Sequence, residues 1–212
     1  MPYTNRVDPF GTIFATPARG ALMGNRGCLH DAHKNIIRPW ARKAWISCLL
    51  DFKGRHRNIM SPGQYTELFF LDEATALSAG HRPCATCQRQ KYQCFKTLWF
   101  KANPGSKSSQ AISKIDETLH NERYASRGAS GLPEAQLGTL PDGTFVIRKD
   151  KPMTAFLYFM EHLFEWHPEA YGQPLKTPAS LMVRVLTPAS IVRTLAAGYS
   201  PDIHGDTREL NT

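Results

Sequence analysis

The spacing of apolar and polar positions changes several times along the chain, and each change marks an element. Ala44 to Phe52 (AWISCLLDF) and Tyr65 to Leu71 (YTELFFL) are dense in strand-forming residues and predict two strands. Asp72 stands where a helix N-cap is wanted, Glu73 to Ala79 is a short helix, and Gly80 takes the C′ position. After the tight turn His81-Arg82-Pro83, a second helix is expected from Ala85 to about Phe100. Its inward stripe is Cys87, Cys94, Phe95, Leu98 and Trp99 at helical spacing. Ala111 to Tyr124 predicts a third helix, Thr144 to Arg148 a strand, and Ala155 to Trp166 a hairpin turning near Glu161-His162. Leu181 to Leu186 (LMVRVL) predicts a strand. It leads into a helix capped by Thr187, with Pro188 at its first position and Gly198 beyond its end. Asn103 to Ser109 reads as a boundary, Ala125 to Gly143 as a long loop and His167 to Ala179 as a further breaker. Strands and helices mix without regular alternation, so the expected fold class is α+β. The expected organisation is a basic unit over residues 20–101 and an α+β unit over residues 110–205, able to pack as one.

Composition narrows the class. Hydrophobic residues are 42% and charged residues 21% of 212, an ordinary globular balance that excludes collagen, coiled coil and wholesale disorder. No stretch approaches the roughly 20 apolar residues of a membrane-spanning helix. Met1 to Ala18 has no apolar h-region and holds three prolines, unlike a secretory signal. A cytoplasmic protein without a membrane partner is expected. Charge is unevenly placed: residues 1–101 carry a formal net +9 and residues 102–212 a net −1. A basic half beside a near-neutral half points to a polyanion partner, nucleic acid first. Arg38, Trp40, Arg42, Lys43 and Trp45 interleave cations with aromatics, which suits phosphate contact and base stacking. Arg38, Arg42, Lys43, Arg55, Arg57 and Arg82 are the candidate phosphate contacts.

The five cysteines are odd in number and too few for a disulfide scaffold. Cys84 and Cys87 form a C-x-x-C at the opening of a helix, where two thiolates converge on one tetrahedral metal with bonds of about 2.3 Å. Cys94 lies seven residues past Cys87, roughly 10 Å along the helix axis, and reads as a core thiol rather than a third ligand. The missing ligands must come from upstream, where Cys28, His30, His33, Cys48 and His56 are available. The first choice is Cys28, Cys48, Cys84 and Cys87 around a structural zinc, with His30 as substitute for one thiol. A C-x-x-C at a helix N-terminus is also the layout of a thiol redox site, but the short helix and turn before it are unlike the βαβ setting of such sites.

Phe70 to Cys87, FLDEATALSAGHRPCATC, resembles the zinc-binding module of Ada-type DNA-repair proteins. That module runs through a strand, a short Ala-rich helix ending in Gly, an aromatic or His, and then Arg-Pro-Cys-x-x-Cys. The likeness is specific over about twenty residues and reaches at most residues 20–101. It implies an Ada-like zinc-binding half, four cysteine ligands and contact with the DNA backbone, with Cys84 and Cys87 carried over directly. The family's first pair is close together, whereas Cys28 and Cys48 are far apart, so the family's alkyl-acceptor cysteine has no counterpart here. Outside those residues the chain resembles a bacterial family that carries no function over to it.

Other constellations are weaker. Asp116, His120 and Arg123 fall on one helix face, where Asp could orient His as a base and Arg hold a phosphate; a solvated, ion-paired face reads the same way. Leu29-His30-Asp31-Ala32-His33 could hold a hard divalent cation or be plain polar surface. His56 lies between Arg55 and Arg57 on the basic surface, and His162, His167 and His204 have no evident partners. No Walker loop, dinucleotide glycine fingerprint or G-x-S-x-G elbow occurs. The sequence therefore points first to a zinc-stabilised protein that contacts nucleic acid. Next come an enzyme acting on nucleic acid with His30, Asp31, Asp116, His120 and Arg123 near the chemistry, and a protein-interaction module with zinc as a staple.

Overall fold

The computed structural model describes residues 1–54, 58–106, 110–125 and 131–205. Its class is α+β, as expected. Among the described residues two six-stranded sheets and four α-helices form. The first sheet contains β1 (Thr4–Val7), β2 (Ile13–Ala15), β3 (Leu22–Asn25), β4 (Ile46–Leu49), β5 (Leu68–Phe70) and β6 (Arg82–Pro83), in the order β2-β1-β5-β3-β4-β6. It is mixed: β1 runs parallel to β5 and β4 parallel to β6, while the other pairs are antiparallel. The second sheet is wholly antiparallel. It contains β7 (Glu134–Gln136), β8 (Thr144–Arg148), β9 (Lys151–Phe159), β10 (His162–Trp166), β11 (Tyr171–Lys176) and β12 (Met182–Val185), in the order β11-β10-β9-β8-β12-β7. The helices are α1 (Glu73–Ser78), α2 (Arg89–Ala102), α3 (Ile112–Ala125) and α4 (Ala189–Ala196).

The helices hold the two sheets together. Leu77 of α1, Phe95 and Trp99 of α2, Ile115 and Leu119 of α3, and Ile191 and Leu195 of α4 share one apolar cluster with Tyr199. All six residues of α1 are buried. Its Ala74 packs with Phe145, Leu157 and Phe164 of the second sheet, and its Ala76 with Val7, Leu68 and Phe70 of the first. Asp72 caps α1 by accepting the Thr75 N–H at 2.8 Å, and also takes the Tyr171 hydroxyl at 2.7 Å and the His204 N–H at 3.0 Å. Glu73 accepts from the Tyr199 hydroxyl, the Asp202 N–H and the Lys91 ammonium. Each buried carboxylate is thus surrounded by donors, the condition under which such burial is tolerable.

Several boundaries differ from those predicted. α2 begins at Arg89 rather than Ala85, because Cys84 to Gln88 forms a turn in which the Gln88 N–H reaches the Cys84 carbonyl. Cys94 is exposed, not a core thiol; Phe95 and Trp99 fill the inward stripe. The hairpin turns one residue earlier, at Met160-Glu161, both with positive φ as a two-residue turn requires. Thr187 does not cap α4: Pro188 is the N-cap, and the Thr187 hydroxyl accepts the Phe145 N–H at 2.8 Å. The segments predicted as a long loop and a breaker contain β7 and β11, and three strands precede residue 26. Those strands are three or four residues long (TNRV, IFA, LMGN), too short to show a period.

Gly80 meets two demands. Its φ of +78° is the left-handed position that ends α1, and a Cβ there would lie 2.4 Å from Cδ of Arg123. Gly80→Ala is expected to cost about 2 kcal/mol or more, lowering the thermal midpoint by roughly 4 °C or more. Gly105→Ala, where a Cβ meets nothing within 4 Å, is expected to leave it unchanged in the same calorimetric comparison.

Candidate functional site

The sulfurs of Cys48, Cys84 and Cys87 lie within 4.8 Å of one another. β4 supplies the first, and the turn between β6 and α2 the other two. The pairing of β4 with β6 puts Ser47 opposite Pro83 and sets Cys48 beside the knuckle. The Cys84 N–H bonds the Ser47 carbonyl at 2.9 Å, and the Gln88 side-chain amide donates to that same carbonyl at 2.8 Å. Backbone donors face the sulfurs: Leu49 N–H to Cys87 Sγ and Thr86 N–H to Cys84 Sγ, both at 3.4 Å. The hydrogen bond from the Cys48 thiol, helped by the backbone N–H groups of Cys87 and Thr86, brings the Cys84 thiol down to about 4. That same bond and burial push Cys48 up, and burial raises Cys87. Cys84 is thus the sulfur set up to carry the negative charge. Three convergent sulfurs with N–H support suit a soft, tetrahedral cation such as zinc. Among the described residues no fourth donor joins them.

Cys28, predicted as a fourth ligand, stands outside this cluster, its thiol directed to the His30 carbonyl at 3.7 Å. His30, the predicted substitute, stands outside the cluster as well. Its Nδ1 meets the Thr66 hydroxyl at 2.6 Å and its Nε2 the Ser61 carbonyl at 3.2 Å, so both ring nitrogens are engaged. The Ser61 carbonyl can only accept, so Nε2 is the donor to it and, in the neutral ring, Nδ1 accepts the Thr66 hydroxyl proton. Asp31 shapes a turn, accepting the backbone N–H groups of His33 and Asn35 at 2.9 Å each.

The predicted face of α3 is occupied in building the molecule. Arg82 is 6% exposed, and its guanidinium forms a two-pronged pair with Asp116 at 2.7 and 2.9 Å. Arg82 therefore does not face phosphate, and both Asp116 oxygens are bound to it rather than orienting His120. His120 is buried and packs against Trp40, ring centroids 4.6 Å apart. Arg123 donates to the carbonyls of Leu119 and Lys43 and lies 3.6 Å over the Trp45 ring. Arg26, only 1% exposed, lies 4.0 Å from the same ring. Two guanidiniums thus lie against the one indole. Arg26 donates through Nε to His81 Nε2 at 3.2 Å and through Nη1 to the Gly11 carbonyl at 3.0 Å. Burial, with the charges of Arg26 and Arg123, drives His81 well below the ordinary histidine range, which keeps it an acceptor.

Of the remaining predicted phosphate contacts, Arg38, Arg42 and Lys43 are exposed on the segment leading into β4, with Lys43 3.9 Å from Glu117. Arg55, Arg57 and His56 lie outside the described residues. The grouping of Arg26 and Arg123 on Trp45 has no signal in the sequence. Arg26 sits in the Gly-rich run GNRG, which reads as an exposed turn, and nothing local signals burial of its charge. Among the described residues no helix is long and apolar enough to cross a membrane. Comparison of the chain with family models, curated proteins and solved structures found no match.

The Arg82–Asp116 pair joins α3 to the first sheet. Arg82→Met or Asp116→Leu alone is expected to cost about 3–5 kcal/mol, because each strands a buried charge. The double variant is expected to recover most of that loss. Urea unfolding of the four proteins tests it; equal losses in single and double variants would exclude the pairing as the cause.

Proposed function

We propose that this is a protein stabilised by a structural zinc, held by Cys48, Cys84 and Cys87, that binds nucleic acid, DNA above all, through its basic N-terminal half. The observation carrying the reading is the convergence of three sulfurs from two separate chain segments, with backbone N–H groups directed at two of them. The ion would fasten β4 to the knuckle before α2, where β6 is only two residues long. The likeness of Phe70 to Cys87 to the Ada-type module supports zinc as the ion and the DNA backbone as the partner, with one upstream ligand, Cys48, where that family has a close pair. Polyanion binding draws further support from the net +9 of residues 1–101 and from the exposure of Arg38, Arg42 and Lys43 on one segment beside Trp40.

Metal analysis of purified variants tests the first half. Cys48→Ser, Cys84→Ser and Cys87→Ser are each expected to lose the ion and unfold at lower temperature, whereas Cys28→Ser and Cys94→Ser keep it in full. Full zinc in Cys84→Ser would remove the proposal.

Salt titration of DNA affinity tests the second half. Affinity is expected to fall steeply with added salt. Replacing Arg38, Arg42 and Lys43 together by Glu should make the log–log slope shallower by about 3. A flat response in the unaltered protein would contradict nucleic-acid contact.

A further inference from the structure

A cavity of about 160 Å³ opens at the seam between the halves, with Phe10, Trp40, Trp45, Arg26 and Arg123 among its walls. Cavities of this size accept a single aromatic ring. We infer that it receives one unstacked nucleobase from a nucleic-acid strand, a conclusion that rests on the nucleic-acid reading above and gives it a ligand group.

Three features select that occupant. The first is shape. Phe10 and Trp40 present aromatic surface, and Arg123 presents a guanidinium whose plane is fixed by bonds to the Leu119 and Lys43 carbonyls and backed on one side by Trp45 at 3.6 Å. A guanidinium held flat in this way is a stacking platform for a base. The second is charge. Two arginines in the wall, one of them only 1% exposed, favour a ring with electron-rich carbonyl and ring-nitrogen edges. Glu122, the acid in the same wall, is turned to the backbone N–H and hydroxyl of Ser190 at 3.0 and 2.6 Å. The third is the surroundings. Arg38, Arg42 and Lys43 lie on the same segment as Trp40 and outside the cavity, and the Arg123 bond to the Lys43 carbonyl ties that segment to the cavity wall. A strand whose phosphates meet those cations can turn one base inward, and a base already out of its stack costs least to admit.

The experiment compares three DNA duplexes on the full chain loaded with zinc. One carries a single extrahelical base, one an abasic nucleotide at that position, and one is fully paired. The extrahelical base is expected to bind about tenfold more tightly than the abasic control, within the range of base stacking on such platforms. Phe10→Leu and Trp40→Leu should bring the two to parity with unchanged circular dichroism, while Arg38→Glu weakens all three duplexes alike. Equal affinity of the unaltered protein for the first two duplexes overturns the inference and leaves the polyanion reading standing. No salt-sensitive binding to any of the three removes the reading itself, and the inference with it.

Discussion

Complete burial of one short helix sets the arrangement of everything around it. α1 has only six residues, too few to be stable alone in water. It exists because both sheets pack on it and because two acids at its start, Asp72 and Glu73, are surrounded by donors from distant parts of the chain. An acid buried this deeply without partners would cost several kcal/mol, so the partners must arrive together. Tyr171 from β11, Tyr199 after α4 and Lys91 from α2 all converge there. The two halves are bound by polar satisfaction as much as by apolar area.

The cysteine knuckle is the second point of convergence, and it adjoins the first. Gly80 ends α1, His81 turns inward against Phe70 and Trp45, Arg82 pairs with Asp116, and Cys84 begins the knuckle. Four of these five successive residues thus have four different physical duties, each ruled by a separate part of the structure. That density explains why the sequence is so specific here. It also explains why β6, with two residues, can be a strand at all: it is held from both ends.

Legibility followed the range of the forces involved. Asp72 and Gly80 were readable because helix caps are local chemistry, and β8 because TFVIR is an unbroken run of strand formers. Cys84 and Cys87 were readable from their spacing, and Cys48 from its place in a predicted strand. Cys28 follows the turn Gly24-Asn25-Arg26-Gly27 in the sequence, and pairing geometry carries it away from the cluster: Met23, not Cys28, lies opposite Cys48. The arginines were the least legible. A charged residue reads as surface, yet Arg26 and Arg82 are buried by an indole, a histidine and a carboxylate that lie tens of residues away. β1 to β3 form because neighbours complete them, not because four-residue segments prefer to extend.

The donors around Asp72 and Glu73 have a consequence for biosynthesis. The acids leave the ribosome early, whereas Tyr199, the Asp202 N–H and the His204 N–H are made some 130 residues later. Until then α1 lacks both its second sheet and several of its hydrogen-bond partners. Final closure of the molecule is thereby deferred until residues 199–204 have been made, and a chain arrested before that point would keep two carboxylates and an apolar helix face open to chaperones and proteases.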